Sequence, residues 1–506
     1  MMDDLIERVI LAFSSQPVPI DTLASLLEEI HHHDMQSSPE GTYRAPFQRA
    51  QFILKDTFRH NLVACLTFDP RKCSLEQIIF CVGIKMRLHL AGPSDIEAVA
   101  GLITDTSVKT LGTDFLFEAC NNLQAQREWS KLAPCAKEGI QKSSTSIKLL
   151  ALFCDWFVLA SYKLLIPAFT KNQLLSAQLD QLEAQTISVT SDLPDTGKNR
   201  IFYRAIIANL RKDIDLAVDL ALQAQKADGY VIGLFQRLEC FVDPMVIADT
   251  KSDTLTRLHN SCHHNFAHKN AGKPVLLIST DQNYFDKYFA KLMESYGYWN
   301  PGCLLHLHCV GFEPAQAHLA ALEEQHRAKI NYTVDRQDII PEGNKNFNGY
   351  CAGARYIHLP YYLELYGRII ITDIDGLIRS DISKAWHGDP DAILLTGKLT
   401  NPDWHSARLL WEIIAAGSFG IAKTPANQRF AVVLSNYLCD QISSLDTADI
   451  PFFCTDQIGL LLSYLRHKDQ CVFDLCRGIY AQGGNWRFSE QDSKSIAQEN
   501  FDFRKK

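Results

Sequence analysis

Arg368-Ile-Ile-Ile-Thr-Asp-Ile-Asp-Gly-Leu-Ile-Arg-Ser-Asp381 decides how the second half of this chain folds. Ile369, Ile370 and Ile371 form the β-branched run expected of a strand buried on both faces of a parallel sheet. The run leads straight into Asp373 and Asp375, with Gly376 behind them. Carboxylates at i and i+2 on the end of a buried strand repel each other unless positive charge joins them. A hard divalent cation does so: Mg²⁺ or Mn²⁺ typically takes one or two carboxylates while substrate phosphates fill other positions. Asp373 and Asp375 are therefore candidate metal ligands and candidate catalytic residues.

Strands and helices alternate on both sides of this stretch. Pro274–Ser279, Cys303–Val310 and Ile330–Val334 read as short apolar strands, with helices over Tyr284–Tyr296 and Pro314–Ala328 between them. Helical segments over Tyr350–Tyr366 lead into the central strand. Beyond it, Asp391–Thr396 and Ala416–Ala422 read as strands, Pro425–Ser443 as a helix, and a further helix runs through Leu465. The glycines of Ala416–Ala422 predict a backbone that comes close to a ligand. Strands separated by helices predict an α/β domain, with a parallel sheet covered on both faces and ligands at the carboxyl ends of its strands. Asp456 falls at the start of the last helix, where capping alone accounts for a carboxylate.

The first half has another texture. From Met1 to about Asp253 helical periodicity dominates: Leu5, Val9, Ile10 and Phe13 share one face, as do Leu23, Leu26, Leu27 and Ile30. Phe115–Ile140 and Ala205–Asp228 each read as a helix, a polar turn and a second alanine-rich helix. They resemble degenerate tetratricopeptide-type hairpins, which stack into arrays with a concave face for proteins or peptides; an irregular bundle is the alternative. Residues 1–253 are thus expected to form an all-α domain, 254–272 a polar linker and 273–506 the α/β domain. His31–His33 reads as a frayed helix end, and Cys262-His263-His264 with His268 has zinc-ligand spacing but lies in the polar joint.

Bulk properties narrow the partners. A length of 506 residues allows two or three domains, and 46% hydrophobic with 21% charged residues is ordinary for a globular protein. A net charge of −8 gives no electrostatic case for nucleic acid or an anionic membrane. The fifteen cysteines contain no C-x-x-C pair and follow no signal-like segment, so they read as free thiols of a cytoplasmic protein. Leu149–Phe169 is long enough to span a bilayer, but Asp155 and Lys163 inside it predict a buried helix instead of a transmembrane segment.

From Lys273 to Leu465 the chain resembles glycosyltransferases of the GT-A fold, most similar to family 8, the glycogenin and bacterial galactosyltransferase group. Ser279-Thr-Asp-Gln-Asn-Tyr284, Ala354-Arg355-Tyr356 before the metal strand, the D-x-D pair, Ala416–Gly420 and Asp456-Gln457 carry the likeness, in order. The resemblance implies a Rossmann-like mixed sheet with helices on both faces. It implies uracil and ribose contacts for Asp281, Asn283 and Tyr284, nucleotide contact for Arg355, metal ligation by Asp373 and Asp375, and a place near the transferred sugar for Asp456. It further implies Mn²⁺ or Mg²⁺ and a nucleotide-diphosphate sugar, UDP-sugar favoured, with a protein or glycan acceptor that the helical domain could dock. Two departures stand out: Gly478–Phe488 lacks the family's histidine ligand, for which Asn485 or water would substitute, and Ala416 replaces an asparagine.

Two rival readings remain. Ile369–Ile378 also resembles motif I of haloacid-dehalogenase-type phosphatases, with Asp373 as nucleophile, Asp375 as acid/base and Thr396 binding phosphate. That motif normally opens its domain, whereas here a long α/β stretch precedes it. The other is a non-enzymatic helical scaffold carrying a degenerate transferase domain.

Overall fold

The computed structural model describes residues 93–481 except 144–146, 171–175, 195–196, 229–237, 337–346, 398, 400–408, 444–453 and 477–479, together with Leu75, Ile78, Ile79 and Val82. The expected helices around Leu5–Ile30, the His31–His33 run and Asn485 lie outside these residues. The described residues divide into two compact units: one holds those up to Ala168 and those of 174–203, the other those of 204–228 and 233–506.

The first unit is helical, built from α1 (Pro93–Leu102), α2 (Asp105–Thr110), α3 (Thr113–Ala125), α4 (Trp129–Lys142), α5 (Ile147–Thr170), α6 (Ser176–Val189) and the start of α7 (Lys198–Leu210). α5 is the apolar stretch expected as a buried helix, and Phe153, Trp156 and Tyr162 are indeed buried. Its Asp155 is buried too, accepting hydrogen bonds from the Tyr203 hydroxyl and, at 2.9 Å, from Asn199 Nδ2. Those donors make a carboxylate tolerable inside a helical core. Among the described residues no helix is long and apolar enough to cross a membrane.

Both segments expected as hairpins fold as helix–turn–helix pairs, α3–α4 and α7–α8 (Ile214–Lys226). Their turns are alike. Arg127 and Lys212 adopt left-handed φ values of 63° and 67°. In the first turn Glu128 N–H donates to the Leu123 carbonyl and Arg127 N–H to that of Gln124; in the second Asp213 and Lys212 do the same to Ala208 and Asn209. This is the Schellman arrangement, which satisfies carbonyls left over at a helix end.

The second unit continues with α9 (Asp253–Asn260), β1 (His263–Asn265), β2 (Val275–Thr280), α10 (Gln282–Trp299), β3 (Leu304–Val310), α11 (Gln316–His326), β4 (Lys329–Asp335), α12 (Phe347–Ile357), α13 (Leu359–Tyr366), β5 (Arg368–Thr372), β6 (Leu377–Ile378), β7 (Ile393–Gly397), β8 (Ile414–Ala422), α14 (Pro425–Ser443), α15 (Thr455–His467), β9 (Phe473–Leu475) and β10 (Tyr480–Ala481). The main sheet is mixed, in the order β1-β4-β3-β2-β5-β8-β7-β9. β4, β3, β2 and β5 run parallel, as the strand–helix alternation predicts. β8 departs from that expectation: it inserts antiparallel between β5 and β7. Ile369, Ile370 and Ile371 are fully buried in the middle of this sheet.

The stretch 254–272, expected as a linker, carries α9 and β1. Leu255 and Leu258 are buried one turn apart on α9, and β1 pairs antiparallel with β4 from His263↔Val334 to Asn265↔Tyr332. A three-residue polar strand gives no period for sequence reading to detect, so this edge was missed.

Candidate active site

A cavity of about 400 Å³ opens at the carboxyl ends of β2 and β5, lined by Asp281, Tyr284, Arg355, Asp373, Asp375, Asp456 and Gln457 among others. The parallel direction of β2 and β5 brings this about, because both strands deliver their following residues to one edge. Six of the seven residues expected at the site therefore meet. Asn283 does not: it is exposed on the first turn of α10 and is absent from the lining.

Asp281 caps α10, its Oδ1 accepting the Tyr284 backbone N–H at 2.7 Å. Tyr284 lines the cleft beside it, with its ring centroid 5.1 Å from that of Tyr288. An aromatic face next to a capped helix start suits a planar ligand group.

Arg355 is the most constrained side chain here, 2% exposed on α12. Its guanidinium donates to the Thr372 carbonyl at 2.6 Å, to the Ala416 carbonyl at 3.4 Å and to Asp373 Oδ1. These bonds give Arg355 a bracing role at the rim of the cavity it lines. Arg355 ties α12 to the ends of β5 and β8. The Ala416 carbonyl is available because the β7–β8 register shifts: Leu395 faces Phe419 while Thr396 faces Ala415, leaving Ala416–Ser418 as a bulge. The Tyr356 hydroxyl donates to the same carbonyl. Sequence reading had given Tyr356 no role, since nothing in a helical pattern marks which tyrosine will meet a bulge.

The glycines of β8 divide in function. Gly417 lines the cleft, as expected of a backbone near a ligand. Gly420 does not: a Cβ there would stand 2.8 Å from Ile370 Cδ1 and 2.9 Å from Leu394 Cδ1, so its smallness serves the sheet.

Four carboxylates, Asp281, Asp373, Asp375 and Asp456, line the cavity against the single cation of Arg355 among its described lining residues. This excess of oxygen donors fits a hard divalent cation such as Mg²⁺ or Mn²⁺. Asp373 and Asp375, separated by one residue, are the pair that could hold it. Tyr480 and Ala481 of β10 pair with Ile378 and Leu377 of β6, bringing the C-terminal segment beside the chain that follows the two aspartates.

Burial pushes the Asp456 carboxyl above the usual carboxylate range, with the Asp373 charge adding and Arg355 opposing. Its Oδ1 accepts the Gln457 N–H at 2.9 Å. Cys454, two residues before it, lines the cleft with a left-handed φ of 67°, a strained conformation for a residue with a side chain. Thr396 is not among the lining residues.

No family profile and no curated protein matches the sequence of this chain. Among solved structures it is similar to the apo form of the glycosyltransferase GlyE of Streptococcus pneumoniae TIGR4, at 14% identity and a TM-score of 0.27, covering 40% of this chain and 44% of that one. It is also similar to apo mouse xyloside xylosyltransferase 1, at 12% identity and a TM-score of 0.25, covering 40% of this chain and 84% of that one. The chain thus spans less than half the length of the first of these structures.

Proposed function

We propose that this protein transfers a sugar from a nucleotide-diphosphate sugar, with a UDP-sugar favoured, to a protein or glycan acceptor. The observation that carries this reading is the convergence of an acidic pair, an aromatic face and a third, partly buried carboxylate on one cleft at the ends of parallel strands. Asp373 and Asp375 would hold Mg²⁺ or Mn²⁺. The ion, when bound, would offset charge developing on a departing diphosphate. Tyr284 offers its ring to the base, and Asp281 fixes the helix start that presents it. Arg355 holds Asp373 in place and lends positive charge to the edge of the cleft. Asp456, less acidic than an exposed aspartate, is the carboxylate suited to take a proton from an acceptor hydroxyl.

The phosphatase alternative is weakened by two observations. Thr396 stays outside the cavity, and Asp373 already accepts a charge-assisted bond from Arg355, which lowers its reactivity as a nucleophile. Docking of an acceptor by the helical residues remains part of the proposal, motivated by the α3–α4 and α7–α8 hairpins.

The test is nucleoside-diphosphate release from a panel of sugar nucleotides with and without Mn²⁺. Metal-dependent release from one donor class, abolished by Asp375→Ala, is expected. Cleavage of a phosphomonoester instead would establish the phosphatase, and turnover of neither substrate would leave a binding scaffold.

A further inference from the structure

A second cluster of chemistry-bearing side chains draws one member, Cys262, from the stretch 254–272. Cys262 follows α9, Asp335 ends β4 and His358 joins α12 to α13. The thiol sulfur, a carboxylate oxygen and an imidazole nitrogen of these three residues lie within 4.8 Å of one another. Asp335 and His358 are fully buried, and Cys262 is half-buried.

Three of the histidines around the cluster are already committed, while His259 stacks on Tyr361 with its ring centroid 3.6 Å away. His264 Nδ1 bonds to Thr333 Oγ1 at 3.0 Å, and His268 Nε2 to Glu323 Oε1 at 2.8 Å. His308 is bonded at both nitrogens, to the Tyr362 hydroxyl at 2.6 Å and to Asp335 Oδ2 at 3.1 Å. His358 differs. Neither of its ring nitrogens makes a hydrogen bond, although the ring has no exposed surface. A buried imidazole with both nitrogens unbonded is costly unless something else takes a lone pair.

The distances suggest what does. His358 Nε2 stands 3.6 Å from Asp335 Oδ2, too far for a hydrogen bond. Ligands held about 2.0–2.1 Å from a tetrahedral ion lie about 3.4 Å apart, close to that separation. Asp335 also has the supporting contacts that a ligating carboxylate needs, from His308 and, at 2.8 Å, from the Tyr350 hydroxyl.

We infer that Cys262, Asp335 and His358 form a binding site for a borderline-soft divalent metal ion, Zn²⁺ above all. One sulfur, one nitrogen and one oxygen ligand suit Zn²⁺ and leave a fourth tetrahedral position for water. The cluster is chemically distinct from the carboxylate-rich cleft at Asp373 and does not depend on the transferase reading. It does meet that cleft mechanically: α12 carries Tyr350, which braces Asp335, and Arg355, which braces Asp373.

The test uses the full chain, stripped of metal by a chelator and titrated with Co²⁺. One equivalent should bind with tetrahedral visible bands and a thiolate-to-cobalt charge-transfer band, and Zn²⁺ should displace it. The charge-transfer band should persist in Asp375→Ala and vanish in Cys262→Ser, a near-isosteric change whose fold is checked by circular dichroism. His358→Gln should weaken binding at least about tenfold. A Co²⁺ complex without the thiolate band, a band that survives Cys262→Ser, or no binding by the natively folded chain would each overturn the site.

Discussion

Arg355 and Asp373 show what one ion pair does when its cation is buried at the rim of a cavity. The guanidinium satisfies a carboxylate and two carbonyls at once, so removing it strips partners from three groups at the ends of β5 and β8. Breaking such a pair costs more than the pair is worth, because the remaining charge keeps its desolvation penalty. Arg355→Met is therefore expected to lower stability by about 3 kcal/mol in urea unfolding. Arg355→Lys should recover only part of this, since an ammonium cannot match the planar fork; full recovery would mean that charge alone matters. Asp456 presents the opposite case. Its carboxyl is raised in the folded protein, so between the unfolded value near 3.9 and the folded one the native state holds a proton that the unfolded chain releases. Stability accordingly falls as pH rises through that window. Asp456→Asn should bring no gain in melting temperature below about pH 4 and a gain at neutrality, with loss of sugar transfer. A difference in melting temperature that ignores pH would refute this account of its environment.

Among elements, what sequence could reveal depended on whether the physics was local. β2–β5 and the helices between them were legible because apolar runs and helical periods report burial directly. The acidic pair was legible because carboxylates at a buried strand end are conspicuous, and both residues line one cavity. The direction of β8 was not legible, since a two-residue period is the same read either way. Nor was the separation between Gly417, at the cleft, and Gly420, packed under Ile370 and Leu394. Gly420→Ala should therefore destabilise by about 1–3 kcal/mol through overpacking, measured by chemical denaturation. The turns at Arg127 and Lys212 invite the reverse change. Each holds a side chain in a left-handed conformation that glycine adopts without penalty, so Arg127→Gly and Lys212→Gly should each stabilise by about 0.5–1 kcal/mol. A loss in either variant would mean that the basic side chain makes a contact outweighing the backbone cost.

At the scale of the whole chain, the sheet-bearing unit reaches further toward the N-terminus than the change of texture at Lys273 suggests. Residues 238–252 are held by α14 and α15: Tyr437 donates its hydroxyl to the Cys240 carbonyl, and Asn436 its amide to Ala248 and Thr250. Arg466 reaches the carbonyls of Pro244, at 2.9 Å, and Ile247. Asn436 and Tyr437 are each 1% exposed, so water cannot replace those partners without opening the unit. Each orphaned group would cost about 1–3 kcal/mol. The Lys468–Asp215 pair adds little, being largely in solvent. A chain of residues 204–506 should therefore melt cooperatively and retain sugar-nucleotide binding. A chain of 254–506 should unfold at markedly lower urea or aggregate, its loss of binding following its loss of structure. Equal stability of the two would place 204–253 outside the sheet-bearing unit after all, and the carbonyl contacts of Asn436, Tyr437 and Arg466 would then be incidental to it.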